Sequence, residues 1–550
     1  MKTAKGRGRN KEWLVVTGIC LVVLVVYANV FGNGLVADDW QFVENWPATA
    51  SWRNLPKILA GAVPVGHEGV FRPVRGLLYL TAYQVWGKEV FFYHAFSVAV
   101  LLVSMLLVYL IVKKLTRKWE VGSVAALFFG LTPVHTEAIT WISSSFDSSG
   151  SVWVLLSFYW WVAKEKPWQK AAAVGMGVVA LLANEVAVGL VLLITAYEWI
   201  WNKKKGKELV KVVWWWWALA AAYLILRLGI IERGRGEFLA GSPIANSLLS
   251  VYVWFEYVKL MMVPLKLSYV HELIWGVGNL NFGGLGLVEL AGGYWRQLNL
   301  WVAIVAVGLV GWLVVKLRRR ERLVSFGVAW MALTLVPAVN LVPGAMIFGE
   351  KYTYLASVGW SMATAGILAW GWNKLDKVKR KGLVVGVAVV LVVFGVVTIR
   401  RNQEWKSEVS LWRAETRNNP KAGRAWMELG LAYEKTGKPE EAVEAYNRVI
   451  AKSPDVDAGY LAAAAINQSR GNYGAAVGNY EGLVAVAPND GSARSFLAYL
   501  RQVWAQKLVD QGEGRLAVAQ LKKAMEEDIG LQLAGEIGKI CRADPGACRE

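Results

Sequence analysis

The amino-acid sequence predicts an all-α fold, in which a polytopic membrane domain of about 11 transmembrane helices precedes a C-terminal domain of helical repeats. Of the 550 residues, 55% are hydrophobic, and the mean hydropathy is +0.36. A soluble protein of this size cannot bury that much apolar surface. The long apolar runs stop near residue 400, where mixed charge and a regular repeat begin. We therefore predict two domains, 1–400 and 401–550.

The formal net charge is +19, from 60 Lys+Arg against 41 Asp+Glu. The positive residues cluster in short loops between apolar runs, a pattern that marks the cytoplasmic side of a membrane protein rather than nucleic-acid binding. We expect an integral protein of a bacterial inner membrane, with membrane lipids and no nucleic acid among its partners. Its N-terminus is expected in the cytoplasm and its repeats outside it. The basic runs assigned to the cytoplasm are Lys2–Lys11, Lys113–Lys118, Lys164–Lys170, Lys203–Lys211, Lys316–Arg322 and Lys374–Lys381.

This assignment determines the order of the crossings, because the chain must return to the cytoplasm at each basic run. The first apolar run resembles a signal peptide, but no small-residue cleavage pattern follows, so we interpret it as an uncleaved helix. By parity, Ser250–Pro264 is an interfacial or re-entrant helix, and Ser51–Ala60 and Arg72–Trp86 are candidate helices along the outer surface. The predicted spans are Trp13–Phe31, Phe91–Val112, Glu120–His135, Ser149–Ala163, two within Ala171–Trp201 that turn at Asn184-Glu185, Val212–Leu228, Trp301–Val315, Leu323–Leu341, Tyr354–Trp372 and Leu383–Ile399.

The C-terminal domain carries the tetratricopeptide pattern, whose period is about 34 residues. We place repeats near 423–456 and 457–490, and a degenerate third near 491–530. The third pattern resumes late, by about two helical turns, which predicts a lengthened helix pair that caps the array. Such arrays usually bind proteins or peptides. The pattern residues are Trp426, Leu429, Gly430, Tyr433, Ala442, Tyr446 and Pro454, then Tyr460, Ala463, Ala464, Asn467, Ala476, Tyr480 and Pro488, then Leu497, Ala498, Ala517, Leu521 and Ala524.

Three cysteines are present. Cys20 lies in an apolar span, where it is expected to pack without reacting. Cys541 and Cys548 are close enough in sequence to form a disulfide in an oxidising compartment, and two free thiols are the alternative.

Asp38 and Asp39 follow the first span, and adjacent carboxylates beside a bilayer are costly unless they coordinate, accept protons or face water. The alternative is a solvated pair that caps a helix beginning at Trp40. Further ionisable residues share the predicted outer face, where they suit a cavity for an anionic lipid-linked substrate. A carboxylate would deprotonate an acceptor hydroxyl, and cations would offset charge on a phosphate leaving group. These residues are Arg72, His135, Glu137, Asp147, Glu185, His271, Glu272, Glu350 and Lys351.

Structural alternatives exist for several of these residues. His135 could donate to a backbone carbonyl near Pro133, and Glu137 and Glu185 could reach out from the membrane interface. The carboxylates could hold a divalent ion, but no tight ligand spacing demands one, so no metal ligand is assigned.

The chain resembles the transmembrane and tetratricopeptide-repeat O-mannosyltransferases (the TMTC family) and their bacterial relatives, within the multispanning GT-C glycosyltransferases. The motifs that carry the resemblance are the aspartate pair, FRPV, LTPVHTEAITWI, LLANEVAV, YVKLMMVPLKLSY, VPAVNLVPGAMIFGEKYTYLASVGW and RNQEWKSEVSLW.

The resemblance implies a GT-C-like membrane domain, a polyprenyl-phosphate sugar donor and transfer to a hydroxyl on the non-cytoplasmic face. It implies that Asp38 is the base, that Asp39 supports it, and that Arg72, Glu137, Asp147, Glu350 and Lys351 line the donor pocket. This chain has Ser145-Phe146-Asp147 where the family usually has Arg-Ala-Asp, Asn184-Glu185 for Lys-Glu, and Glu350-Lys351 for Glu-Arg.

We therefore expect an inverting membrane glycosyltransferase that moves a mannose-like sugar from a polyprenyl phosphate to a protein or glycan hydroxyl, with the repeats binding the acceptor. The alternative is a non-catalytic membrane scaffold whose repeats recruit partners for envelope or glycan assembly. A transporter is disfavoured, because no inverted repeat of spans is visible.

Overall fold

The computed structural model describes residues 2–60, 71–231, 243–269, 298–339, 341, 348–454, 456–528 and 530–548. Within these ranges every regular element is helical, which confirms the predicted all-α class. The candidates His271 and Glu272 lie outside the described residues. The chain divides into two compact units, the first ending at Leu411 and the second beginning at Trp412.

The first unit is a bundle of apolar helices, and the chain is an integral membrane protein. Among the described residues, five stretches are long and apolar enough to cross a membrane by themselves: Asn10–Gly32, Val90–Thr116, Gly206–Arg227, Asn299–Leu317 and Lys377–Glu404. A helix also occupies each of the other predicted spans, so the number of crossings stays a prediction. The helices are α1 (Lys2–Tyr27), α2 (Leu55–Leu59), α3 (Pro73–Trp86), α4 (Val90–Thr116), α5 (Trp119–Leu131), α6 (Thr136–Thr140), α7 (Ile142–Ala163), α8 (Pro167–Ala183), α9 (Gly189–Ile200), α10 (Gly206–Ile231), α11 (Pro243–Met262), α12 (Leu298–Leu317), α13 (Arg322–Thr334), α14 (Thr353–Lys374) and α15 (Lys377–Glu404).

The segment between α5 and α7 differs from the prediction. The helix expected to reach His135 ends at Leu131, because Pro133 restricts Thr132 to an extended backbone. A 3-10 turn and the short α6 follow, and α7 begins at Ile142 rather than Ser149. Asp147 therefore lies on a helix instead of in a loop.

Ion pairs within the first unit sort into two sets at opposite ends of the predicted spans. One set joins residues expected in the cytoplasm, such as Lys113 with Glu12 and Lys164 with Glu198. The other joins residues expected outside, such as Arg72 with Asp147. This separation agrees with the predicted order of crossings, and which end faces the cytoplasm stays a prediction.

The second unit contains helical hairpins at the predicted repeat positions. The third hairpin opens with a helix of 20 residues, against 13 in each of the two preceding repeats, so the late pattern reflects a helix lengthened by two turns. A disulfide joins Cys541 to Cys548 at the end of the array. The helices are α16 (Glu408–Asn418), which contains the boundary between the units, α17 (Gly423–Lys435), α18 (Pro439–Lys452), α19 (Asp457–Ser469), α20 (Tyr473–Val486), α21 (Gly491–Asp510), α22 (Gly514–Glu527) and α23 (Ala534–Ala543).

Candidate functional site

Asp39 is completely buried, and its carboxylate is held by three donors. The backbone N–H and the hydroxyl of Ser143 donate to Oδ1 at 2.8 and 2.7 Å, and the Val36 N–H donates to Oδ2 at 3.3 Å. Burial raises the pKa of Asp39 to about 7 against the effect of these donors, and the adjacent Asp38 adds to the rise. Asp39 makes no capping hydrogen bond to the turn that begins at Trp40. The helix-cap alternative is therefore wrong for Asp39.

Asp38 is half-buried, and its carboxylate forms no hydrogen bond or salt bridge with any residue that the structure describes. Its backbone carbonyl accepts from the N–H groups of Gln41 and Phe42, which holds the residue at the start of a short helical turn. The preceding Ala37 has φ 50, a left-handed conformation that residues with a Cβ rarely adopt. Such strain is often found where a backbone must present a functional group.

Arg72 joins two of the predicted acidic residues. Its Nε and Nη2 donate to the two carboxylate oxygens of Glu185 at 2.8 and 2.6 Å, and its Nη1 donates to Asp147 Oδ1 at 2.7 Å. Burial by itself would raise the pKa of Glu185, but the Arg72 and Arg227 guanidinium groups hold it well below its usual range. Glu185 is thus an ionised partner in a partly buried network, with 23% of its side chain exposed.

Two arginines that the sequence interpretation did not select complete this network. Arg75 Nη1 donates to the same Asp147 oxygen at 2.6 Å, and Arg227 Nη1 lies 3.3 Å from Glu185 Oε2. Arg75 follows Arg72 by three residues, so helical spacing could have placed both on one face. Arg227 is a cation at the end of an apolar span, which is itself a functional signal in membrane helices.

Lys351 contributes a further positive charge. Its Nζ lies 4.5 Å from the ring centre of Trp141 and 5.6 Å from that of Tyr352, and its charge acts on Asp147. We call Arg72, Arg75, Arg227, Lys351, Asp147 and Glu185 the charge cluster.

The charge cluster and the aspartate pair meet on α7. Ser143, which binds Asp39, and Asp147, which binds Arg72 and Arg75, are four residues apart and therefore share one face of that helix. The Arg75 guanidinium also lies 4.8 Å from the ring centre of Phe42, in the turn that follows Asp39. The fold thus brings Asp39, and with it the adjacent Asp38, to the same end of α7 as Asp147, where Arg72, Glu185 and Lys351 also gather.

Glu137 and Glu350 form a separate buried pair. The Glu350 N–H donates to Glu137 Oε2 at 2.8 Å, and both side chains are fully buried, so the interface alternative is wrong for Glu137. The Ser268 N–H donates to Glu350 Oε1 at 2.5 Å, and the Arg401 guanidinium lies 4.0 Å from Oε2. These contacts hold the 3-10 turn that carries Lys351.

His135 occupies a packing position. Its Nε2 lies 2.7 Å from the hydroxyl of Ser357, and its ring contacts those of Phe129 and Tyr354 at 4.5 and 4.7 Å between centres. The alternative was a hydrogen bond from His135 to a backbone carbonyl near Pro133. The Nε2 atom contacts the Ser357 hydroxyl instead.

No group of three or more His, Cys, Asp or Glu residues is arranged to hold a metal ion in the described part of the chain. A requirement for a divalent ion stays a prediction.

Comparison with known proteins identifies relatives over most of the chain. The tetratricopeptide repeat family matches residues 409–457. Protein O-mannosyl-transferase TMTC3 of Mus musculus is 23% identical over 504 residues, covering 82% of this chain. Protein O-mannosyl-transferase F38B6.6 of Caenorhabditis elegans is 20% identical over 83% of it, and protein O-mannosyl-transferase TMTC2 of Mus musculus is 31% identical over 24%.

The chain is similar to the TMTC proteins over most of its length. The resemblance seen in its motifs is therefore confirmed, and with it an integral membrane protein that carries tetratricopeptide repeats. The chain spans about half the length of TMTC3, 52%, and 65% of the Caenorhabditis elegans relative.

Proposed function

We propose that this chain is an inverting membrane glycosyltransferase, which moves a mannose-like sugar from a polyprenyl phosphate to a hydroxyl of a protein or glycan. The observation that carries the proposal is the Asp38 carboxylate, which has no partner among the described residues. It adjoins Asp39, whose own partner Ser143 lies one helical turn of α7 from Asp147 in the charge cluster. The names of the relatives, protein O-mannosyl-transferases, support the reaction class. The site would face the extracytoplasmic side, with the repeats on the same side to bind the acceptor.

The proposed reaction is a single displacement. Asp38 removes the proton of the acceptor hydroxyl while its oxygen attacks the anomeric carbon of the sugar. The bond between that carbon and the phosphate oxygen breaks, and the polyprenyl phosphate leaves with its negative charge offset by the charge cluster. Asp39 positions the Asp38 backbone through its bonds to Ser143.

The test uses the purified chain in lipid nanodiscs with polyprenyl-phosphate mannose and acceptor peptides. We expect Asp38→Asn to reduce transfer by about 10²–10⁴-fold, as removal of a general base does. Glu256→Gln is the matched control, because Glu256 pairs only with the exposed Lys259 on its own helix among the described residues. Undiminished transfer by Asp38→Asn, or no transfer from any lipid-linked sugar, would contradict the proposal.

A non-catalytic scaffold is the second candidate, and one observation favours it. Arg72, the arginine expected to bind the donor, is already occupied by Asp147 and Glu185. A scaffold would lose its cellular role when repeats 423–490 are deleted and keep it in Asp38→Asn. An enzyme would show the loss in both variants.

A further inference from the structure

Arg72 has little capacity left for a ligand. Its three nitrogens each donate to a carboxylate oxygen at 2.6 to 2.8 Å, and its side chain is 11% exposed. A planar guanidinium that grips one carboxylate with two bonds is held firmly in one orientation. Three of its five N–H donors are therefore used, and the two that remain belong to Nη1 and Nη2, which already bind carboxylates.

Arg227 is bound more loosely. It reaches Glu185 at 3.3 Å, the longest ion-pair contact in the charge cluster, and the Tyr223 hydroxyl at 3.5 Å. Its Nε is buried and donates to no residue within the described part of the chain, and the side chain as a whole is only 15% exposed. A buried donor without an acceptor is costly, and an anionic ligand would supply that acceptor.

The charge cluster also carries an excess of positive charge. Its four cations face two carboxylates, and Lys351 rests on Trp141 without forming a salt bridge to any described residue. Arg75 adds a second open donor, because its Nε also lacks a partner among those residues and the side chain is 5% exposed. Buried charges of one sign are stabilised by a counter-ion.

The local contacts also explain how the chain tolerates Asn184 where the family usually has lysine. The Asn184 side chain donates to the Asp147 carbonyl at 3.2 Å and accepts from the Val186 N–H at 3.0 Å, so it closes the turn itself. Arg227, from α10, supplies the positive charge beside Glu185 instead.

From these contacts we infer that Arg227, with Lys351 as the second cation, binds the phosphate of the lipid-linked donor, while Arg72 is a positioning residue that holds Glu185 and Asp147. The inference rests on the proposed function for the identity of the donor. The shared chemistry is a phosphate anion, and the polyprenyl chain distinguishes the donor from free phosphate.

Binding is tested without turnover, using polyprenyl phosphate that lacks a sugar, in nanodiscs of phosphatidylcholine. We expect Arg227→Gln to weaken binding by roughly tenfold or more, as the loss of a charge-assisted hydrogen bond does. Arg227→Lys should recover most of it, because an ammonium group still presents a point charge. Arg318→Gln is the matched control, since among the described residues the Arg318 side chain contacts only Trp199, at the opposite end of the bundle.

Arg72→Gln should instead lower the thermal midpoint of unfolding. In Arg227→Gln, the KM for the donor should change more than kcat does. The inference is overturned if Arg227→Gln binds polyprenyl phosphate as tightly as the unaltered chain. It is also overturned if inorganic phosphate competes at the same concentration as the lipid. Arg227-dependent binding without any sugar transfer would reject the proposed function alone, whereas transfer that is insensitive to Arg227 would reject this inference alone.

Discussion

Ser143 donates two hydrogen bonds to a single carboxylate oxygen of Asp39, one from its backbone and one from its hydroxyl. Asp39 follows the first span and Ser143 lies in the first turn of α7, so this contact joins two distant parts of the chain. It also fixes the backbone next to Asp38, whose carboxylate has no partner among the described residues, at the start of the helix that carries Asp147. The position of Asp38 therefore depends on Ser143, which binds the neighbouring Asp39.

The first prediction concerns this contact. Asp39→Ala leaves the buried N–H and hydroxyl of Ser143 without their acceptor, so we expect a loss of about 2 kcal/mol or more in unfolding free energy. Ser143→Ala removes one of these donors and keeps the backbone bond, so its effect should be smaller. Thermal unfolding of both variants in detergent measures the difference. Equal midpoints for Asp39→Ala and the unaltered chain would show that the contact is not stabilising.

The second prediction concerns pH. Because burial raises the pKa of Asp39 to about 7, its contribution to stability is present in full below its unfolded value near 3.8 and is lost as pH rises through about 7. Ionisation of Asp39 adds a negative charge beside Asp38 and should favour proton removal by Asp38, so kcat/KM should rise through the same range. The rate profile of Asp39→Asn should lack this rise. A rise of the same size and midpoint in Asp39→Asn would assign it to another group.

The third prediction concerns Glu198, which is completely buried at the end of α9. Lys164 and Lys204 form ion pairs with it, and the indole of Trp161 donates to it at 3.0 Å. Glu198→Ala leaves these partners uncompensated and should cost about 3 kcal/mol. Transfer per folded molecule should not change, because this cluster lies at the opposite end of the bundle from Asp38.

Glu165→Ala is the control for that variant, since Glu165 is exposed and pairs only with Lys114 among the described residues. Its thermal midpoint should not change measurably. If the two substitutions lowered the midpoint equally, burial of Glu198 would not be the cause.

The fourth prediction concerns close packing in the first repeat. A Cβ added to Gly430 would lie 2.3 Å from a ring atom of Tyr446, so Gly430→Ala must push α17 away from α18. Gly478→Ala is the control: its Cβ would meet nothing within 4 Å, and alanine favours a helix by up to about 1 kcal/mol. Hydrogen exchange over residues 423–452 of the full chain should accelerate in the first variant only. Equal protection in both would contradict the packing argument.

The fifth prediction concerns the disulfide of Cys541 and Cys548. A disulfide persists in an oxidising compartment, as expected for repeats outside the cytoplasm. In intact cells, a membrane-impermeant maleimide should label these cysteines only after a reducing agent has been added. Labelling without reduction would show free thiols, and no labelling under either condition would place the repeats in the cytoplasm.

Much of the fold could be predicted from the sequence because local rules determine it. Apolar runs between basic loops identified the spans, and the late third repeat corresponds to the two extra turns of α21. The early end of α5 has a local signal, the proline at 133, which restricts Thr132 to an extended backbone and stops the helix at Leu131.

The sequence by itself determined the all-α class, the apolar spans and the acidic and basic residues expected on one face. Only the tertiary structure decided which of them meet: Arg72 with Glu185 and Asp147, Arg227 with Glu185, and Asp39 with Ser143. The physical reason is that helical periodicity and charge are local properties. Contacts between side chains more than 40 residues apart depend instead on how whole helices pack. That packing occupies Arg72, whereas the Asp38 carboxylate meets no partner among the described residues.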